Sequence, residues 1–278
     1  MTAPTLIHAG ALLRRGHKVG LATVLSTQGS VPGRVGARLL ISSEGVVGTI
    51  GGAGLERTVI ARLEELLDSE RPVGEVHTYG LHARAKGFEV RPLDSLCGGQ
   101  VTVSLEVVIP MPHLLLMGGG HCARAIAGVT KVLGWQCSVT DSREAYSTLD
   151  GCEEGLHMTP EVFFESEDGT SLARFSDILL LGHDWKEDET RLIGLLASGY
   201  GGRIGVIGSR SKWQAFEAAA LEQGIAPADL DEVTCPIGVN IGAESPEEIA
   251  IAVAAWIISR RTGTQPATPT WRDERPPQ

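Results

Sequence analysis

The chain has 278 residues, 42% of them hydrophobic, and a formal net charge of −10, which is enough for one large domain or two modest ones with a proper core. The acidic balance argues against sequence-independent nucleic-acid binding, which needs a basic surface. The longest apolar stretch, 249–258, is about half of the ~20 residues that a membrane span needs, and the five cysteines contain no Cys-x-x-Cys pair that would indicate a disulfide framework or a zinc ribbon.

The first residues lack the charged start and the apolar stretch of a secretory signal. We therefore expect the chain to lie in the reducing cytoplasm, with neither a nucleic acid nor a membrane as its partner.

The first hundred residues predict a small mixed α+β domain over 1–109. We expect helices at 5–15 and 53–67, the second with its apolar residues on one face. Strands are predicted at 21–26, 37–42, 46–50 and 101–109, and the loop 43–45 is typical of a hairpin.

Two prolines, Pro110 and Pro112, mark the boundary to a second domain at 113–261. Predicted strands at 114–117, 136–141, 177–182 and 203–207 alternate with helices at 121–133, 187–197 and 212–223, and a last helix begins at Pro246. This alternation predicts a Rossmann-like, doubly wound parallel sheet. After 262 the composition turns to Thr, Pro and Gln, so we expect a disordered tail at 262–278.

A glycine turn, Gly118-x-Gly120-x-x-Ala123, follows the first strand of this second domain and opens its first helix. Glycines there allow backbone N–H groups to approach a phosphate at the positive end of the helix. Asp141 follows 23 positions after Gly118, near the ~20 expected for a carboxylate that meets a ribose hydroxyl. The alternative is a doubly wound fold that keeps the turn and binds no nucleotide.

Two other loops of this domain carry polar candidates. Gly208, Ser209 and Arg210 follow a predicted strand and could bind an anion, or form an ordinary connection in which Ser209 caps a helix. His183 follows another strand at the carboxyl edge, where ligands of such sheets bind. It could act as acid, base or ligand, or be a hydrogen-bonded structural residue.

The first domain carries two further candidates. Gly51-Gly52 precedes a helix whose first turn contains Glu56, so it is a potential anion-binding nest. Cys97 is followed by Gly98-Gly99, which leaves a sulfur accessible as a nucleophile, a metal ligand or a sulfur acceptor. The alternative is a small residue at a tight turn.

Several stretches occur together in a fixed order along the chain. They are Gly29-Ser30-Val31-Pro32, Gly48-Thr49-Ile50-Gly51-Gly52 with Glu56, Cys97-Gly98-Gly99, Gly118-Gly119-Gly120-His121, Thr140-Asp141-Ser142-Arg143, His183, Gly205-Val206-Ile207-Gly208-Ser209-Arg210 and Cys235-Pro236-Ile237-Gly238. In this set the chain resembles the xanthine dehydrogenase accessory family, often called XdhC/CoxI.

The resemblance implies a chaperone of the molybdenum cofactor (molybdopterin) rather than an enzyme. Such a protein would bind the cofactor, protect it during sulfuration by a cysteine desulfurase, and deliver it to a xanthine dehydrogenase or a related molybdenum hydroxylase. A homodimer is compatible with this interpretation. Cys97 would contact the metal or its sulfur ligands, and the other cofactor-binding candidates are Gly51, Gly52, Glu56, Gly118, Gly120, His121, Asp141, His183, Gly208, Ser209 and Arg210.

Two other classes of function stay open. One is an NAD(P)-dependent oxidoreductase, with Asp141 on the ribose and His183 as acid or base. The other is an interaction module in which the glycine turns are relics.

Overall fold

The chain forms two compact units, Met1–Pro110 and Met111–Gln278, which we call the N-terminal and the C-terminal unit. The computed structural model describes residues 3–69, 71–81, 90–93 and 98–264. Cys97 and residues 265–278 of the predicted tail lie outside these ranges.

In its described residues, the N-terminal unit contains a six-stranded mixed sheet with two helices. Its strands lie in the order β3-β2-β1-β6-β4-β5, and every neighbouring pair is antiparallel except β4 with β5. The elements are α1 (Ala3–Arg14), β1 (Val19–Gln28), β2 (Arg38–Ser42), β3 (Gly45–Gly48), α2 (Ala53–Leu67), β4 (Val73–Gly80), β5 (Val90–Pro92) and β6 (Gln100–Val108).

Hydrophobic periodicity explains how this unit packs. Leu55, Val59 and Leu63 recur at helical spacing on α2 and are buried against one face of the sheet. Alternate residues of β6, such as Val103 and Leu105, supply the other side of this core. The packing fixes the first turn of α2 next to the end of β3, where Gly51 and Gly52 lie.

The C-terminal unit contains a five-stranded parallel sheet in the order β11-β10-β7-β8-β9, which confirms the predicted Rossmann-like fold. Its strands are β7 (His113–Met117), β8 (Gln136–Asp141), β9 (Glu154–His157), β10 (Asp177–Leu180) and β11 (Arg203–Val206). Its helices are α3 (His121–Leu133), α4 (Pro160–Ser166), α5 (Gly169–Leu172), α6 (Trp185–Ala197), α7 (Arg210–Glu222), α8 (Pro227–Asp231) and α9 (Pro246–Thr262).

The parallel sheet is buried on both faces. Leu114 and Leu116 of β7 pack with α3 and α9, whereas Leu115 and Met117 point to the opposite face with Trp213 of α7. The chain order reverses at β7, which lies between β8 and β10. The loops after β7 and β10 therefore meet at the carboxyl edge, where open sheets of this kind bind ligands.

The last helix, for which the sequence predicted only the start, overlaps the predicted tail by one residue. Helix α9 continues to Thr262, the first residue of the predicted tail, and ends at Gly263, whose positive φ of 65° provides a left-handed cap. Within the described ranges, no helix is both long and apolar enough to cross a membrane.

Candidate functional site

The turns after β7 and β10 touch each other. Gly118 has a φ of +109°, and a Cβ at this position would lie 2.7 Å from the Cα of Gly182. Only glycine fits there, because both the backbone conformation and the neighbouring chain exclude a side chain. The contact holds the two loops together at the point where the strand order reverses.

The next two glycines of the turn have opposite surroundings. A Cβ at Gly119 would overlap the carbonyl oxygen of Tyr146, whereas no described atom lies within 4 Å of a Cβ at Gly120. Gly120 precedes α3, and its cap contains no side-chain hydrogen bond. The exposed His121 is the first residue of the helix. An open approach to backbone N–H groups at a helix start suits an anionic ligand.

Asp141 braces the glycine turn from the end of β8. Its carboxylate accepts hydrogen bonds from the Gly119 N–H at 2.8 Å, from the Arg143 N–H at 2.8 Å, and from the Arg143 Nε and Nη2 at 2.9 Å each. Burial alone would raise the pKa of this carboxyl, but these hydrogen bonds outweigh it and lower the pKa to about 2. Since Asp141 is only 1% exposed, a ribose hydroxyl would have to share its oxygens with these donors, and the ribose contact stays a prediction.

Arg143 and Tyr146 cover the turn from the other side. The guanidinium of Arg143 lies 3.9 Å from the centroid of the Tyr146 ring, and the Tyr146 backbone presses on Gly119. The pairing with Asp141 raises the pKa of Arg143. Arg143 belongs to one of the family-like stretches but was assigned no role from the sequence, and Tyr146 was missed.

A buried charge network, which the sequence did not predict, ties the turns after β10 and β11 together. Asp188 of α6 is fully buried and accepts hydrogen bonds from the Gly182 N–H at 3.2 Å, the Arg191 Nη1 at 3.1 Å and the Lys212 Nζ at 2.8 Å. Lys212 also donates to the Ile207 carbonyl at 3.2 Å. In the sequence, the only signal for this network is that Asp188 and Arg191, an ordinary acid–base pair, lie one helical turn apart.

The same network reaches the loop after β8. Glu187 accepts a hydrogen bond from the Ser142 hydroxyl at 2.7 Å and pairs with the Arg191 Nη2 at 2.9 Å. Side chains of α6 and α7 therefore hold the loops after β8, β10 and β11 in one arrangement.

The turn after β11 is a helix start. Ser209 accepts a hydrogen bond from the Lys212 N–H at 3.3 Å and so caps α7. This agrees with the alternative given for Ser209 in the sequence analysis, an ordinary connection in which it caps a helix. Gly208 is half-buried, and Arg210 is exposed at the first position of the helix. His183 is also exposed, one residue beyond Gly182.

A cavity of about 400 Å³ opens beside this turn. It lies between the β11–α7 turn, the loop 236–243 and one side of α9. The lining residues are Ile207, Gly208, Ser209, Pro236, Ile237, Gly238, Val239, Asn240, Ile241, Gly242, Ala243, Ile249 and Ala252.

In the N-terminal unit, the predicted anion nest holds a carboxylate of the chain itself. Glu56 Oε1 accepts hydrogen bonds from the Ile50 N–H and the Gly51 N–H, each at 3.1 Å, and from the Thr49 hydroxyl. Gly51 is pressed onto the preceding loop, because a Cβ there would lie 2.5 Å from the Gly33 nitrogen. Gly52 is exposed, with a φ of +86°.

Three glycine stretches meet at this end of the first sheet. A Cβ at Gly33 would overlap the Ile50 carbonyl oxygen, and a Cβ at Gly99 would lie 2.7 Å from the Ser30 carbonyl oxygen. By contrast, no described atom lies within 4 Å of a Cβ at Gly98. Cys97 immediately precedes this open position in the chain.

Two cysteines of the C-terminal unit, Cys122 and Cys137, are not activated thiolates. Burial raises the pKa of the Cys122 thiol, and the nearby Glu247 raises it further. The hydrogen bond to Cys152, whose sulfur lies 2.6 Å away, and burial raise the pKa of Cys137. In the described part of the chain, no three His, Cys, Asp or Glu side chains converge as a metal site.

These features define a two-unit protein whose second unit is a Rossmann-type domain. The family model of the XdhC Rossmann domain matches residues 114–257, and that of the XdhC and CoxI family matches residues 12–80. The chain therefore belongs to the XdhC/CoxI family.

Two curated relatives support this assignment. The uncharacterized protein YqeB of Escherichia coli (strain K12) is 31% identical over 240 residues, which are 86% of this chain and 42% of YqeB. A probable xanthine dehydrogenase subunit from Bacillus subtilis (strain 168) is 29% identical over 162 residues, 56% of this chain and 45% of that protein. The chain thus spans less than half the length of either relative.

One solved structure is similar at a greater distance. A crystal structure of a xanthine dehydrogenase from Bacillus halodurans is 19% identical, with a TM-score of 0.47 over 95% of this chain and 98% of that one.

Proposed function

We propose that this chain is a carrier of molybdenum cofactor that serves a xanthine dehydrogenase-type molybdenum hydroxylase. It binds the cofactor, holds it while a cysteine desulfurase provides sulfur, and passes it to the client enzyme. Family membership and the similarity to a probable xanthine dehydrogenase subunit support this proposal.

The observation that carries the proposal is the open glycine turn at the start of α3. The cofactor is a phosphorylated pterin, and Gly120 leaves free space at a helix N-terminus for a phosphate. Asp141 and Gly182 hold this turn in place from two sides. A site that is rigid before binding loses little conformational entropy when the ligand arrives.

The chain's other candidates take separate roles in this proposal. Glu56 and Gly51 keep the loop before α2 in shape, because the carboxylate already fills the nest. We assign Gly52 and Cys97 to cofactor binding, with Cys97 as the contact to the metal or its sulfur ligands. Thiolates bind soft metal centres well, and a carrier needs binding and protection rather than a net reaction.

The other residues of the carboxyl edge orient and cover the ligand. His121, His183 and Arg210 are exposed around the phosphate side and provide polar or cationic contacts. Gly208 and Ser209 shape the turn after β11, where Ser209 caps α7.

An anaerobic titration with purified molybdenum cofactor tests the proposal. Wild-type protein, Cys97→Ala and Gly120→Ala are compared, with Cys152→Ala as a matched control for the loss of a thiol. We expect wild type and control to bind stoichiometrically, and both site variants to bind about tenfold or more weakly. Equal binding by all four proteins would remove Cys97 and Gly120 from the site, and no binding by wild type would overturn the carrier function.

A second candidate is an NAD(P)-binding oxidoreductase, which the strand order and the glycine turn favour. It predicts saturable NAD(H) or NADP(H) binding and turnover that His183→Gln abolishes while binding persists. Binding without turnover would leave a nucleotide-binding carrier and exclude the oxidoreductase.

A further inference from the structure

We propose that the cavity beside the β11–α7 turn is a subsite for a planar nitrogen heterocycle. Two sources share this chemistry, the pterin of the molybdenum cofactor and the base of a nucleotide or dinucleotide. The pterin source rests on the proposed function, whereas the cavity itself does not.

The walls of the cavity suit a flat, uncharged ring. Ile207, Ile237 and Ile249 contribute branched aliphatic side chains, and Ala252 contributes a small apolar one. The volume of about 400 Å³ falls in the range of small-molecule sites, which are mostly apolar with a few polar groups. The lining residues include no charged side chain, so a charged group is the wrong occupant for the interior.

The lining of the cavity also includes hydrogen-bonding groups of the kind that a heterocycle needs. Ser209, Asn240 and the backbone of Gly208 and Gly242 contribute donors and acceptors. A pterin or a nucleobase has polar atoms at its edge and apolar faces. Its edge would therefore meet these polar groups while its faces meet the aliphatic side chains.

The loop that forms one wall is held in place without a ligand. Gly238 has a φ of +105°, and a Cβ there would lie 3.2 Å from the Cβ of Ala252 in α9. The Val239 N–H donates to the Ala252 carbonyl at 3.1 Å, and the Ile237 N–H donates to the Val206 carbonyl at 3.0 Å. These contacts attach the loop to both α9 and β11, so the cavity is preformed.

The cavity and the glycine turn belong to one edge of the same unit. The glycine turn follows β7 and the cavity lies beside the turn after β11, and both strands run parallel in one sheet, so both turns lie at its carboxyl edge. A ligand with a phosphate and a ring has both of its recognition elements on this edge. The turn before α3 would take the phosphate, and the cavity would take the ring.

A pair of matched isoleucine variants tests the subsite. Ile241→Trp places a large ring at the mouth of the cavity, whereas Ile251→Trp changes an equally exposed isoleucine that does not line it, the two being 56% and 58% exposed. Calorimetric titrations use metal-free molybdopterin, NAD⁺, AMP, GMP and CMP as separate probes with the full chain. For any probe that binds wild type, we expect Ile241→Trp to weaken binding about tenfold or more and Ile251→Trp to leave it unchanged.

The outcomes separate the subsite from the carrier function. If Ile241→Trp weakens the binding of molybdopterin, the result supports both the subsite and the carrier function. If a nucleotide binds and Ile241→Trp weakens its binding, while molybdopterin does not bind, the result supports the subsite and contradicts the carrier function. Binding that is equal in wild type and Ile241→Trp overturns the subsite alone, and the absence of binding by every probe overturns both. Hydrogen exchange of residues 236–243 with saturating probe gives a second measurement, in which we expect slower exchange on binding.

Discussion

Gly119 and Gly120 are neighbours in the chain, but we expect the same substitution to alanine to have different effects at the two positions. Gly119→Ala forces a methyl group into the Tyr146 backbone carbonyl, and we expect it to lower the free energy of unfolding by about 3 kcal/mol. Gly120→Ala adds its methyl group to open space, so its cost is less than about 1 kcal/mol, while an anionic ligand loses its approach.

Urea unfolding followed by tryptophan fluorescence measures this difference in the relevant unit, because all five tryptophans lie after residue 111. A Gly119→Ala variant as stable as wild type would show that the Tyr146 backbone does not press on the turn.

The Asp141 carboxyl makes stability depend on pH in the acid range. Its pKa is about 2 in the folded protein and near 3.8 in the unfolded chain, so folding is favoured by about 2 kcal/mol once both forms are ionised. This contribution is fully present above about pH 4 and is lost as the pH falls through 2. We expect Asp141→Asn to be less stable than wild type at pH 7 and to show a smaller loss of stability between pH 4 and pH 2.

The exposed Asp150, which pairs with Lys131 at the surface, provides the control. Asp150→Asn should follow the wild-type stability over the same pH range, since surface pairs contribute little. If Asp141→Asn had the same acid dependence as wild type, the hydrogen bonds to Gly119 and Arg143 would not determine it.

At the scale of elements, α6 and α7 position the loops of the site through Asp188. Its carboxylate balances the buried Arg191, which is 3% exposed, and the partly exposed Lys212. Asp188→Asn leaves these two cations without that charge, and we expect a loss of about 3 kcal/mol in the free energy of unfolding. Lys212→Met costs less, since its side chain is 21% exposed at the end of the network.

A double-mutant cycle measures the coupling between these residues. Because Asp188 and Lys212 contact each other at 2.8 Å, the double variant should lose less stability than the sum of the single variants. Lys186→Met, at a lysine that is 64% exposed, should change stability by less than about 0.5 kcal/mol. Strict additivity of the first pair would contradict the network.

The start of α2 shows why an anion nest in a sequence need not bind a ligand directly. Gly51 presents its N–H at a helix N-terminus, as the sequence predicts. The carboxylate of Glu56, in the first turn of the same helix, accepts the hydrogen bond from this N–H. The sequence shows Glu56 as an available acceptor, but the direction of its side chain depends on how the loop before α2 packs on Gly33. Local spacing therefore located the nest without identifying its occupant.

For the whole molecule, the fold was largely predictable because its strongest signals are local. The predicted bounds of α2, α3 and β8 agree with the structure, since long apolar patterns end there at glycine or at polar residues. Strand β4 was missed, because only its last two residues are buried and its pattern of Val, Gly, Glu and His is weak. The short strand β5 has too few residues for any periodicity.

The candidate site was less predictable because its partners are set by tertiary contacts. Asp141 was located at the correct strand end, but its bonding to Gly119 depends on a loop 22 residues away. The Asp188–Lys212 contact joins two helices, and the cavity combines a turn, a loop and α9. None of these contacts leaves a periodic signal in the sequence.

The division into two units leads to a prediction about the separate C-terminal unit. Every residue that lines the cavity, as well as the glycine turn, lies within Met111–Gln278, and this unit has its own parallel sheet and core. We expect the fragment 111–278 to fold on its own, with the tryptophan emission of the full chain, and to bind metal-free molybdopterin within about threefold of the full-chain affinity.

Comparison of metal-free and molybdenum-loaded cofactor then isolates the role of the N-terminal unit. If Cys97 contacts the metal, loaded cofactor should bind the fragment more weakly than the full chain, and Cys97→Ala in the full chain should reproduce that loss. Calorimetry with both ligands on the three proteins measures it. A folded fragment that binds neither ligand would contradict the assignment of the ring and phosphate sites to residues 111–278.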